Sequence, residues 1–214
     1  MDIIVDEAVR DRVPTLFVRT RSLGSVRVEE SGEAQEERIR AIATRWEGTP
    51  EQKLDSHPHI RIYRRLTQQM GGDPKKSVPA AEALLRRGLL RGRFPRINSV
   101  VDAGNIASVE YLVPIGLFDL DKISGKVELT LATDDHQMIP IGKNEPIKLA
   151  SGTPVLKDSE GVFSAVGSRD SARTMITSET KSVLIFSWGM KGVEPAVVDS
   201  ALDECAREIL ERST

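Results

Sequence analysis

Cysteine, aromatic side chains and long apolar runs are all scarce in this chain. Its 214 residues include one cysteine, Cys205, so no disulfide can form within it. A reducing, cytoplasmic setting is the expectation that follows. Aromatic residues make up 4%, too few for a broad platform on which bases would stack. No apolar run approaches the roughly 20 residues that span a bilayer, so no membrane association is expected. The opening MDIIVDEAVRDRV carries acidic residues and no long apolar centre, and does not read as a signal peptide. The histidines are His57, His59 and His136 only. Their spacing is not that of metal ligands, and neither a metal nor another cofactor is expected. There is no internal repeat, no Walker phosphate loop and no Gly-x-Ser-x-Gly elbow. The formal net charge of −2 does not by itself mark a nucleic-acid binder.

What the chain does contain falls into two textures. Thr15–Val28 (TLFVRTRSLGSVRV) alternates in part and reads as strand with a turn near Gly24. Helices are then predicted over Ser31–Trp46, with Ser31 as cap, and from Pro58 to Gly71-Gly72 with Ile60, Tyr63, Leu66 and Met70 on its inner face. Two more are predicted over about Ser77–Leu90 and over Ser99–Leu112. After Pro114 come short β-like runs separated by Gly, Pro, Asp and Asn: IGLFDL, KVELTLA, QMIPI, TPVLKD, GVFSAV, RTMIT and SVLIFSW. A last helix is predicted over Glu194–Arg212, with Cys205 on its apolar stripe. The expected fold is α+β: a helical N-terminal half packed on a mixed or antiparallel β-sheet, closed by a C-terminal helix. The absence of a long flexible linker suggests one domain over 1–214.

Net charge conceals an asymmetry. From Arg61 to Arg96 there are ten basic residues (Arg61, Arg64, Arg65, Lys75, Lys76, Arg86, Arg87, Arg91, Arg93, Arg96) against Asp73 and Glu82, a net of +8. Such a stretch is either a set of solvated helix faces or a phosphate-facing surface that gains from counterion release. A second question is raised by RINSVVDAGNIASVEYLVPIGLFDLDKISG at Arg96–Gly125. It places Asp119, Asp121 and Lys122 behind an Asn-bearing helix. Two carboxylates two residues apart on a strand share a face. They either anchor an ion-paired turn or line a site.

That same stretch strongly resembles the third-and-fourth-domain (tRNA-binding and editing) region of the phenylalanyl-tRNA synthetase β subunit. The family pattern runs Arg-Pro-x-Asn-x-Val-Val-Asp-x-x-Asn, then Pro-x-His-x-Phe-Asp-x-Asp-Lys-x-x-Gly. KVELTLATDDHQMIPIGKNEPIKLASGTPVLKDSEGVFSAVG and SRDSARTMITSETKSVLIF continue the likeness, which covers about Arg96–Trp188. The chain looks like a freestanding relative. The resemblance implies binding of tRNA or aminoacyl-tRNA, and editing-type hydrolysis of mischarged aminoacyl-tRNA in trans. A non-catalytic RNA-binding module, or an amino-acid or metabolite-binding protein that kept the pocket, are the alternatives. Two positions depart from the pattern: Gly116 stands where the family has His, and Phe186 where it has Glu.

The residues assigned to a site follow from this. Asp119, Arg169 and Asp170 are the candidate catalytic groups. Asn105, Gly116, Asp121, Lys122, Ser171, Arg173 and Thr174 are candidates for substrate binding. Asp119 and Asp121 would meet the α-ammonium group of an aminoacyl ester, or else anchor a turn. Asp170-Ser171-Ala172-Arg173-Thr174 would hold a guanidinium over a phosphate or terminal ribose, or else form a surface ion pair. Arg61, Arg64, Arg65, Arg86, Arg87, Arg91, Arg93 and Arg96 are the candidate RNA contacts.

Overall fold

The structure is a computed structural model that describes residues 1–75 and 77–213, with Glu51 and Leu89 described by their backbone. In chain order the elements are β1 (Ile3–Val5), α1 (Glu7–Arg12), β2 (Phe17–Leu23), α2 (Glu33–Trp46), α3 (Glu51–Ser56), α4 (Pro58–Gln69), α5 (Ala80–Ala83) and a π-helical turn (Leu84–Leu89). Next come α6 (Ser99–Tyr111), β3 (Gly116–Asp119), β4 (Val127–Leu131), β5 (Gln137–Met138), β6 (Ile147–Lys148), β7 (Pro154–Asp158), β8 (Gly161–Ala165), β9 (Val183–Gly189) and α7 (Pro195–Glu211). The fold is α+β, as the segregation of helical and β-like texture predicts.

The strands make two larger sheets rather than one. The first has the order β1-β4-β7-β8, with β1 parallel to β4 and the other pairs antiparallel. The second is antiparallel, β2-β9-β3, with the long apolar β9 in its centre. β5 and β6 form a small hairpin. Phe118 on β3 meets Phe163 on β8 edge-on, ring centroids 5.0 Å apart, and this contact joins the two sheets in one core.

α6 is covered almost all round: none of its residues is exposed, and Ser99, Asp102 and Ser108 are buried with its apolar side chains. Asn98 caps it by accepting the Val101 N–H at 2.9 Å, and Leu112 ends it in a left-handed conformation. Gly104 gives it a close approach to β3, since a Cβ there would stand 2.5 Å from Leu117 Cδ1. α7 packs on β2, β9 and α6 through Val198, Ala201, Leu202, Cys205 and Ile209. A second apolar cluster joins Ile39 and Ile42 of α2, Leu54, Ile60 and Leu85 to Ile106, Val109 and Leu112.

Several local expectations are corrected. Ser31 does not cap α2. Gly32 occupies that position, and the Ser31 hydroxyl donates to the buried Asp102. The third helix is broken: α5 is one turn long and continues as a π-turn. RTMIT is not a strand. Its first residues form a 3-10 turn, Ala172–Thr174, because Arg173 is drawn across to Asp158. β1, α3 and β6 are too short to carry a periodic signal.

Candidate functional site

Five segments enclose a cavity of about 520 Å³. They are α4, residues 77–87, β3 with its approach, β9, and the turn 164–170 that leaves β8. Two of them show how local chemistry and a long-range contact hold the lining in place. His57 caps α4 and Pro58 fits its first turn, which aims Tyr63, Leu66 and Met70 inward. Tyr63 Oη donates to the Trp188 carbonyl at 2.9 Å and so ties α4 to β9. Gly167, at φ +82°, lets the 164–170 turn close on Ser77, whose Oγ would lie 2.6 Å from a Cβ at that position. A volume of this size is that of a small-molecule site and exceeds a single amino acid.

Its polar side chains are Tyr63, Thr67, Ser77, Arg87, Ser164, Ser168, Arg169 and Asp170. Asp170 lines the cavity beside Ser164 and Ser168. Burial pushes the Asp170 carboxyl up to about 6, against the pull of a hydrogen bond from Ser164. A carboxyl so placed exchanges a proton near neutrality, or holds a cation in its ionised form. Arg169 and Arg87 also line the cavity and are exposed. Arg169 Nη1 donates to the Ile141 carbonyl at 3.3 Å. The site is therefore a largely apolar chamber with one carboxyl and two exposed guanidinium groups in its lining. That arrangement suits a ligand with an apolar part, a cationic group and a phosphate.

Of the residues singled out in the sequence, the structure brings Gly116, Arg169, Asp170 and Arg87 together here, with Phe186 beside them. The others lie elsewhere. Asp119 is buried at the end of β3, where it accepts Thr180 Oγ1 at 2.8 Å and the Asp121 N–H at 3.1 Å. That is a turn anchor. Asp121 and Lys122 follow it on an exposed 3-10 turn, and half-buried Asn105 on α6 does not line the cavity. Ser171 is buried and caps the Ala172–Thr174 turn. Thr174 is wholly buried, with its hydroxyl unpartnered. Arg173 forms a fork on Asp158 at 2.8 and 3.0 Å and also donates to the Lys122 carbonyl. The Asp158 side chain is fully buried.

The basic stretch divides in the same way. Arg64 and Arg86 converge on buried Glu82, with Nε distances of 2.9 and 2.7 Å, and both reach Asp55. Arg96 pairs with Glu36 and lies over the Phe94 ring. Arg61, Arg65, Arg91 and Arg93 are exposed. Lys76 lies outside the described residues. Tyr63, Leu66, Met70 and Trp188 were legible only as core positions of a helix and a strand. Nothing in a linear pattern shows that one inner face both packs and lines a chamber. Among the described residues no group of three or more His, Cys, Asp or Glu is gathered to hold a metal ion. No helix among them is long and apolar enough to cross a membrane.

The model of the B3/4 domain matches residues 62–213, which include every cavity-lining segment, and the chain belongs to the B3/4 domain family. The phenylalanine–tRNA ligase β subunit of Mycoplasma pneumoniae is 36% identical over 98 residues, 45% of this chain and 12% of that protein. Its counterpart from Yersinia pestis is 33% identical over 112 residues, 52% and 14% of the two chains. This chain thus spans a small part of the length of these relatives. An N-terminal fragment of the phenylalanyl-tRNA synthetase β-subunit from Pyrococcus horikoshii shares the fold, with a TM-score of 0.51 over 98% of this chain and 48% of that one, at 18% identity.

Proposed function

We propose that this chain takes the acceptor end of an aminoacyl-tRNA into the chamber and hydrolyses its ester, removing amino acids attached to the wrong tRNA. The observation that carries the reading is Asp170, placed inside an apolar cavity with Arg87 and Arg169 at hand, within the B3/4 match. The reaction needs no covalent nucleophile. A water oxygen attacks the ester carbonyl carbon, and the bond to the ribose oxygen breaks. One water proton passes to that oxygen, the other is released to solvent, and the amino acid leaves as its carboxylate. Asp170 would hold the α-ammonium group or orient the water, while Arg169 and Arg87 would meet the terminal phosphates. Arg61, Arg65, Arg91 and Arg93 would extend the contact along the RNA backbone. The work would belong to translation in the cytoplasm.

The test is a panel of correctly and incorrectly charged tRNAs incubated with purified protein. Release above the spontaneous rate from at least one mismatched pair is expected. Release from none of them would remove the catalytic reading. Gly116 and Phe186, in place of the family's His and Glu, favour a second reading, a tRNA-binding module without chemistry. Salt-dependent tRNA binding without ester release would decide for it.

A further inference from the structure

Arg169 lines the chamber from an exposed turn. A long, exposed side chain of this kind ordinarily samples many rotamers. This one is held. Its Nη1 donates to the Ile141 carbonyl at 3.3 Å, the one hydrogen bond its side chain makes among the described residues. Backbone pairing brings that carbonyl into place. The Ile141 N–H donates to the Asp170 carbonyl and the Ala172 N–H to the Ile139 carbonyl, both at 2.8 Å, with Pro140 opposite Ser171. The chain then turns: the Lys143 N–H closes on the Pro140 carbonyl at 3.0 Å, and Gly142 has φ +79°. A type II turn needs a positive φ at that third position. Glycine also leaves room there. A Cβ on residue 142 would stand 3.1 Å from Arg169 Nη1.

We infer that the Ile141 carbonyl and Gly142, both outside the cavity lining, position the Arg169 guanidinium for a phosphate at the acceptor end of the RNA. This rests on the reading of the cavity as an aminoacyl-tRNA site and adds the residues that set one of its cations. One N–H of the guanidinium is used on the carbonyl. The others stay free, in a fork that meets phosphate oxygens in pairs. A guanidinium fixed beforehand gives up less rotamer freedom when the phosphate arrives. The atom beside position 142 is the far end of a flexible side chain. An added methyl group there displaces the guanidinium more readily than the backbone.

The experiment measures binding of a synthetic RNA minihelix ending in the single-stranded CCA of tRNAs, across a salt series. The proteins are the parent, Gly142→Ala, Arg169→Ala and the double variant. Arg169→Ala should bind roughly tenfold more weakly, with the slope of log affinity against log salt lower by about 1. Gly142→Ala should lose part of that affinity and add no further loss in the Arg169→Ala background. Gly142→Asn accepts a positive φ with less strain yet still carries a Cβ. It should lose the same affinity as Gly142→Ala with a smaller fall in unfolding midpoint. Additive losses, parent-like binding by Gly142→Ala or Gly142→Asn, or no effect of Arg169→Ala overturns the inference. If the parent does not bind the minihelix even at low salt, the RNA reading fails and the inference with it. If no ester is cleaved from any charged tRNA while the binding cycle holds, the hydrolytic reading alone fails and the positioning stands.

Discussion

Gly116 on β3 and Phe186 on β9 are directly opposed residues of one antiparallel pair. They are also two positions at which the sequence reading sets this chain apart from the synthetase pattern. The two departures are therefore one local change in one wall. A Cβ on residue 116 would lie 3.7 Å from Phe186 Cδ1, an ordinary contact, but 3.0 Å from Phe118 Cζ, a tight one that the ring must relieve by a few tenths of an ångström. Phe118, more than Phe186, crowds position 116.

Gly116→Ala should therefore destabilise the fold. Overpacking against a fixed ring costs about 1–3 kcal/mol. Removing a glycine from the unfolded chain returns about 0.4–1 kcal/mol. The net is a loss of about 1 kcal/mol for Ala and more for His, read from denaturant midpoints. Phe118→Leu should absorb part of the cost of Gly116→His, and strictly additive effects would contradict the assigned contact.

Arg173→Ala should unfold the protein more readily without acting through the chamber. It strands the buried Asp158 carboxylate, which also accepts the Ser124, Glu160 and Gly161 N–H groups. Breaking such a pair costs about 3 kcal/mol. Burial alone would raise the Asp158 carboxyl, but the Arg173 fork and the backbone bonds hold it below the usual carboxylate range. The stability it supplies is thus present above the unfolded carboxyl value and is lost as pH falls through the lower, folded one. The variant should show a weaker acid dependence of unfolding below about pH 4.

Asp170 has the opposite sign. Its folded carboxyl is raised to about 6, so the folded protein binds more proton than the unfolded chain between about pH 4 and 6. Stability from this group falls as pH rises across that window. Asp170→Asn should be more stable than the parent at pH 7 and little changed at pH 4, by denaturant unfolding. If Asp170 acts in ester hydrolysis as its ionised form, activity rises through about pH 6 in the parent and loses that step in the variant.

The basic stretch should separate into two groups under substitution. Arg91→Ala and Arg93→Ala should weaken tRNA binding and lower the slope of log affinity against log salt by about 1 each. Arg64→Ala and Arg86→Ala should mainly lower the unfolding midpoint, because both guanidinium groups are spent on buried Glu82. Filter binding across a salt series, beside thermal unfolding, checks the division.

Local chemistry made much of this fold legible. Pro58 and the three-and-four spacing of Ile60, Tyr63, Leu66 and Met70 mark α4, and the apolar run to Trp188 marks β9, because each is decided within a few residues. The B3/4 likeness was legible for the same reason: it is carried by residues in a fixed linear order. The site was legible only in part. Asp119 and Asp170 are both carboxylates among apolar residues, and no linear rule separates them. Asp119 became an anchor because Thr180, 61 residues on, donates to it. Asp170 became a cavity residue because its turn is held against Ser77 and α4. Arg173 likewise met Asp158, and Arg64 met Glu82, through contacts that close only when the sheets and helices dock. Spacing along the chain governs which elements form. Which carboxylate is neutralised, and which is left facing a chamber, is set by partners brought together in space.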